Sequence, residues 1–272
     1  MADPGLFGPD SVTWRINGDP ISLVGGLRAL LLQALHPLAM AGVEQHSNYR
    51  DDPWGRLSRT ATYVSTATFG TTDEAVAAGA RVRAVHAHVR GIDTETGQAY
   101  SAGDPHLLAW VHNCTVDSML GAYRRSGARL SPGEADAYVE EQTAMAALVG
   151  LEGGAVPRTV AALGSYFTDV RPELLMTAAA RGVARFGVAP PMPMWVQVAT
   201  PARLAWAGVS SVAFGMLPDW ARRMYGVPIF PGTDRATDLA VRALRGGLLA
   251  VPEGMRRSPA QKAAFQRLAE SA

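Results

Sequence analysis

Three observations predict an all-α fold, a single multi-helix domain over residues 1–272. Helix-start signals recur along the chain, apolar residues return at helical spacing, and strand-like segments find no partner of similar quality. The elements follow in order. Residues 21–43 form an apolar run in which Pro37 predicts a kink or break, because a proline ring clashes with the preceding turn. Thr60 to Phe69 is rich in β-branched and aromatic residues and has strand propensity, but its neighbours are helical and it is assigned to helix. Thr72-Asp73-Glu74 opens a helix that runs to about Arg90, where Gly91 can end it. Asp104-Pro105 pairs an N-cap with proline at the first helical position, and the helix continues past Leu120. Ser131-Pro132-Gly133-Glu134 spells a capping box. Helical periodicity returns at residues 157–169, 172–186 and 234–245, and Pro190, Pro191, Pro193 and Pro201 interrupt the segment between the last two. Residues 1–12 and 255–272 read as flexible tails.

Composition narrows the function classes. Hydrophobic residues make up 48% and charged ones 18%, which is globular and excludes a disordered chain or a coiled coil. Basic and acidic side chains nearly cancel, 25 against 24, so a nucleic-acid partner is not expected. Lys262 is the sole lysine, which removes Walker-type phosphate loops and Schiff-base chemistry. Cys114 is alone and can build neither an internal disulfide nor a cysteine cage. No nucleophile elbow surrounds Ser47, Ser101 or Ser118. Arg28, His36 and Pro37 interrupt the longest apolar run, and residues 204–218 are too short to cross a bilayer core of ~30 Å. With no secretory leader in the first residues, the expectation is a cytoplasmic protein without a transmembrane segment. Contact with a membrane surface stays open, and oligomeric state is not readable.

Six histidines carry most of the chemical interest: His36, His46, His86, His88, His106 and His112. At about 100° per residue, Val82, Val85, His86 and Val89 share one face, while His88 points elsewhere. An imidazole on that stripe is either a core histidine bonded to a carbonyl or an axial ligand for a metal or haem. His112 falls with Leu108, Val111, Thr115 and Met119, as a packed helix-interface histidine or a pocket-lining ligand. His36-Pro37 suits a helix break, and the histidine spacings match no zinc signature. The densest polar cluster runs from Arg50 to Thr60. Its arginines, Arg56 and Arg59 among them, either pair with Asp51 and Asp52 or grip carboxylates such as haem propionates. Tyr138, Glu140 and Glu141 read as a salt-bridged face or an anchoring acid.

Five segments in order make a wider pattern: residues 35–47 (LHPLAMAGVEQHS), 55–60 (GRLSRT), 82–91 (VRAVHAHVRG), 100–112 (YSAGDPHLLAWVH) and 217–226 (LPDWARRMYG). They resemble the superfamily that joins the bacterial latex-clearing proteins (rubber oxygenases) to the MpaB-type oxygenases of fungal meroterpenoid pathways. The resemblance spans roughly residues 10 to 230. It implies an all-α fold with a globin-like core, one haem b, and dioxygen used on carbon–carbon double bonds of isoprenoid chains. The family's proximal histidine, in a Val-Arg-x-x-His helix, falls on His86. Its distal Arg-x-x-Lys-Thr motif falls on Arg56, Arg59 and Thr60.

Position 59 departs from that motif. A lysine amine can shed its proton and ligate iron, whereas a guanidinium stays charged and has no lone pair to give. Arg59 therefore cannot be a sixth ligand, and the iron is expected open, water-bound or closed by another histidine. Arg56, Arg90 and His112 complete the candidate cofactor-binding set around His86, the metal ligand. Glu44 is the nearest match to the family's base. The chain is shorter than the rubber oxygenases, which argues for a small apolar substrate over a polymer. A non-catalytic haem- or lipid-binding protein and a haem peroxidase are the alternatives.

Overall fold

The computed structural model describes residues 3–48, 51–188, 190–192, 194–195 and 200–270; Arg50 and Pro193 lie outside them. The helices are α1 (Val12–Asn17), α2 (Ser22–Gln33), α3 (Pro37–His46), α4 (Pro53–Phe69), α5 (Thr72–His86), α6 (Pro105–Arg125), α7 (Pro132–Glu141), α8 (Thr143–Leu148) and α9 (Val160–Val170). A 3₁₀ turn (Arg171–Glu173) follows, then α10 (Ala178–Val188), α11 (Ala202–Gly215), α12 (Asp219–Met224), α13 (Thr233–Ala250), α14 (Glu253–Arg256) and α15 (Pro259–Ala269). Two three-residue strands, β1 (Arg90–Ile92) and β2 (Ala99–Ser101), pair antiparallel between α5 and α6. The fold is all-α, as the sequence predicts.

The core forms around α2 and α6. Val24, Leu27, Leu31 and Leu32 of α2 are buried against Trp110, Val116, Met119 and Leu120 of α6. Gly25 lets the two helices approach closely, since a Cβ there would lie 2.9 Å from Met119 Sδ and 3.1 Å from Met119 Cα. Arg28 is buried one turn on, where it donates to Met216 O (2.9 Å) and Ser118 Oγ (2.7 Å) and pairs with Asp117 (2.7 Å). Pro37 does break the apolar run: α2 and α3 meet at 102°. Among the described residues no single helix is long and apolar enough to cross a membrane.

Helix-start chemistry matches the sequence at α6 and α7. Asp104 accepts from His106 N, and Ser131 with Glu134 closes a capping box. Helix α5 opens at Thr72 as the sequence predicts, and a capping box forms with Thr71 as cap and Glu74 reaching back. Its C-terminus differs more. The helix ends at His86, not near Arg90, because residues 90–101 turn into the β-hairpin. Asp93 is buried and accepts from Thr96 N (2.9 Å) and Thr96 Oγ1 (2.6 Å), and Gly97 adopts φ +71°. That aspartate–glycine turn is a local signal strong enough to end the helix early.

Parts of both terminal segments pack on α4. Leu6 and Phe7 lie with Tyr63 and Ala67, and Phe7 also reaches the cluster of Phe69. Helix α15 seats Ala264 beside Trp14 and Phe69, and Arg267 donates to Phe69 O (3.0 Å). Both segments brace the far end of α4.

Gly25→Ala is expected to cost about 1–3 kcal/mol, because the new methyl must push α6 away. Gly26→Ala, whose Cβ would meet only Met119 Cε at 4.0 Å, should be neutral or stabilising through helix propensity. Urea melts of both variants check the pair; equal stabilities would show that α2 and α6 are not in close contact.

Candidate functional site

Helices α4 and α5 form an antiparallel hairpin closed at Gly70–Thr71. The closed end is dense: Ala67, Thr68, Phe69, Gly70, Ala75, Ala78 and Gly79 are buried. Gly79 admits the backbone of α8, since a Cβ there would meet Leu148 O at 2.5 Å. The open end is bare. Residues 58–62 of α4 are exposed in succession, so the helix is uncovered on every side, and residues 83–85 of α5 are exposed as well. Helix α4 is held at its N-terminus by Trp54, whose ring meets Trp206 (4.8 Å) and Phe186 (5.7 Å).

Arg56 lies 14 residues before Gly70, and His86 lies 15 residues after Thr71. Equal rise along the two helices puts both at the open end of the hairpin. The electrostatics agree: the His86 imidazole is held below its usual range, first by burial and then by the Arg56 guanidinium. His86 Nδ1 is buried and makes no hydrogen bond. Arg56 Nη1 donates to Ser47 Oγ (3.0 Å), which ties the mouth to the end of α3.

The valine stripe around His86 is only partly inward. Val82, His86 and Val89 are half-buried, whereas Val85 is 62% exposed. The reason is that α5 packs through its small residues, Ala75, Ala78 and Gly79, near the closed end. Arg59 and Thr60 share α4 with Arg56, as expected. Arg59 is exposed and pairs with the N-cap carboxylate Asp52 (3.3 Å), and Thr60 Oγ1 donates to Arg56 O (3.1 Å). Arg90 lies beyond the helix in β1, exposed, with its carbonyl accepting from His46 Nε2 (3.2 Å).

His112 lies apart. It follows Leu108 and Ala109 by one turn on α6, on the face packed against Ala146, Leu151 and Val156. Among the described residues no hydrogen bond or ring contact joins it to His86. Met119 and Tyr138 belong to the buried core, and the Tyr138 hydroxyl donates to Asn17 Oδ1 (3.0 Å). Glu140 is salt-bridged to Arg158, and Glu141 accepts from Val12 N (3.2 Å) and Thr13 N (2.7 Å) at the start of α1. Glu44 is half-buried on α3. A separate cleft of about 430 Å³ is lined by Arg28, Arg125, Arg222, Asp219, Asp234 and Asp238. Its charges are largely spent on one another, Arg222 on Asp219 and Asp234, and Arg125 on Asp238.

One constellation is invisible to motif reading. His36, His106 and Glu173 come together from the α2–α3 corner, the start of α6 and the 3₁₀ turn. No linear spacing links positions 36, 106 and 173, so only the tertiary fold reveals it.

Residues 14–250 match the family described as "ER-bound oxygenase mpaB/B'/Rubber oxygenase, catalytic domain". The chain belongs to this family. It is the one that the five ordered segments resemble, and the hairpin mouth lies inside the matched oxygenase domain. The fold is also similar to that of a latex-clearing protein, LCP, in its closed state. The TM-score is 0.61 at 18% identity, covering 95% of this chain and 71% of that one. No curated protein sequence matches the chain.

Burial pushes the His112 imidazole down to about 4 from an ordinary 6.5. Between those values the unfolded chain takes up a proton that the folded chain refuses, so stability falls as pH drops through that window. Urea melts at stepped pH should show a shallower decline in His112→Leu than in the parent chain from pH 6.5 to 4. Parallel declines would mean that His112 ionises freely in the fold.

Proposed function

We propose that this family member is a haem-dependent oxygenase acting on small apolar molecules, with haem b held in the mouth of the α4–α5 hairpin. The observation that carries the reading is the imidazole of His86, with a buried ring nitrogen left unbonded opposite the cation of Arg56. The residues fit the group. Burial and the neighbouring cation keep the imidazole neutral, which leaves a lone pair for iron. Two arginines stand one turn apart on the opposite helix, suited to carboxylates such as propionates. Among the described residues, 58–62 of α4 and 83–85 of α5 are exposed at the mouth.

When bound, haem supplies an iron centre able to bind and activate dioxygen. The chain's own part is to hold and orient. His86 is the iron ligand, presented at the last residue of α5. Arg56 stays anchored by Ser47. Arg59 is held only by an exposed pair with Asp52, an interaction of about 0–1 kcal/mol, so it turns to a propionate or a polar oxygen at little cost. Position 59 offers no lone pair, so the Arg59 side chain would not serve as an iron ligand and could only donate hydrogen bonds to the bound group. The aromatic group of Trp54, Phe186 and Trp206 begins two residues before Arg56 and supplies an apolar wall. Family membership supports the oxygenase assignment, and the resemblance to isoprenoid-cleaving enzymes supports an apolar substrate.

Protein reconstituted with haem is expected to show a Soret band at one equivalent per chain. His86→Ala should lose it, while Arg59→Lys should convert the spectrum to a six-coordinate low-spin form by supplying an amine. Oxygen uptake should then depend on an added short isoprenoid. A parent chain without a Soret band contradicts the reading. Haem binding with no consumption of oxygen or peroxide would make the protein a carrier.

A further inference from the structure

His36 is 2% exposed, and both of its ring nitrogens are buried without a hydrogen bond. A buried polar group left unpaired is destabilising, so its retention calls for a partner. The corner does not require it: the residue before Pro37 needs only extended backbone, which any aliphatic side chain can adopt. Two further donors stand beside the ring. Glu173 Oε2 lies 3.6 Å from His36 Nε2, beyond hydrogen-bond range, and 2.7 Å from His106 Nε2. The two imidazoles are 5.9 Å apart between ring centres, and one donor atom from each residue falls within 4.8 Å of the others.

We propose that His36, His106 and Glu173 form a divalent metal site of zinc type. Two imidazole nitrogens and one carboxylate oxygen are a zinc donor set, and such a set keeps a position for water. Donors about 2.0 Å from a tetrahedral ion stand about 3.3 Å from each other. The His36–Glu173 separation is close to that value, and the His106–Glu173 pair needs to open by roughly 0.6 Å. Both partners are about half-exposed, 48% for His106 and 45% for Glu173, so they have room to move and leave a path from solvent.

The segments that carry the donors are tied together without the ion. Leu175 N donates to Leu35 O (2.8 Å), linking the strand of chain after Glu173 to the residue before His36. Trp110 Nε1 donates to Gln33 O (3.1 Å), linking α6 to the end of α2, and Asp104 caps the turn that presents His106. Burial also keeps His36 in its neutral, ligating form. The site is distinct from the hairpin mouth. Helix α3 separates them, with His36 at one end and Ser47, the partner of Arg56, at the other, about 15 Å away.

The test uses the full chain, chelator-stripped and free of haem, titrated with zinc by calorimetry and with cobalt(II) by visible absorption. The expected result is one ion per chain, with tetrahedral or five-coordinate cobalt bands. His106→Ala and Glu173→Gln, both at half-exposed positions, should each weaken binding at least about tenfold while the circular dichroism spectrum is unchanged. His86→Ala should bind zinc as the parent does, which separates this site from the proposed haem site. No saturable binding by the parent, or equal affinity in His106→Ala and Glu173→Gln, overturns the proposal.

Discussion

The tight turn at Gly70–Thr71 governs what the rest of the site can do. A Cβ at Gly70 would meet Thr66 O at 2.5 Å, so the end of α4 closes directly onto the start of α5. The Thr71–Glu74 capping box then satisfies the first amides of α5, and Phe69 is fastened by Trp14, with ring centres 5.2 Å apart. Beyond the turn the Arg56 guanidinium comes near enough to help hold the His86 imidazole below its usual range, although 30 positions separate them in the chain.

The same hairpin divides stability from function along its length. Its closed end is buried beneath the N-terminal residues, α8 and α15, while its open end carries exposed side chains and an imidazole nitrogen without a partner. An uncovered helix middle gains little from packing, and α4 survives because both ends are anchored, by Trp54 at one and Phe69 at the other. The free energy that tolerates this opening comes from elsewhere, chiefly the close contact of α2 and α6 through Gly25 and the buried Arg28 clamp. His36 shows the same tension at a second place: a buried imidazole is retained with neither ring nitrogen hydrogen-bonded.

Local chemistry was legible in the sequence wherever it acts within one turn. The caps at Asp104 and Ser131 and the break at Pro37 follow from residue type and spacing alone. The end of α5 is not legible from Gly91 alone, because Asp93, Thr96 and Gly97 build the turn downstream. The valine stripe was misleading for a different reason. Periodicity says which residues share a face, not whether another element covers it, and Val85 faces solvent. The helical pattern and the family segments both point to His86, but the nearness of Arg56 to it needs the tertiary fold. The grouping of His36, His106 and Glu173 was out of reach, since three chain segments must fold before the donors approach.

The proposed haem attachment rests on the imidazole at position 86. The most direct measurement is chemical rescue in His86→Gly, following haem affinity and the Soret band with and without free imidazole. The account predicts weak haem binding that free imidazole restores to the parent spectrum. Haem bound by His86→Gly as tightly as by the parent, with no response to imidazole, would contradict it.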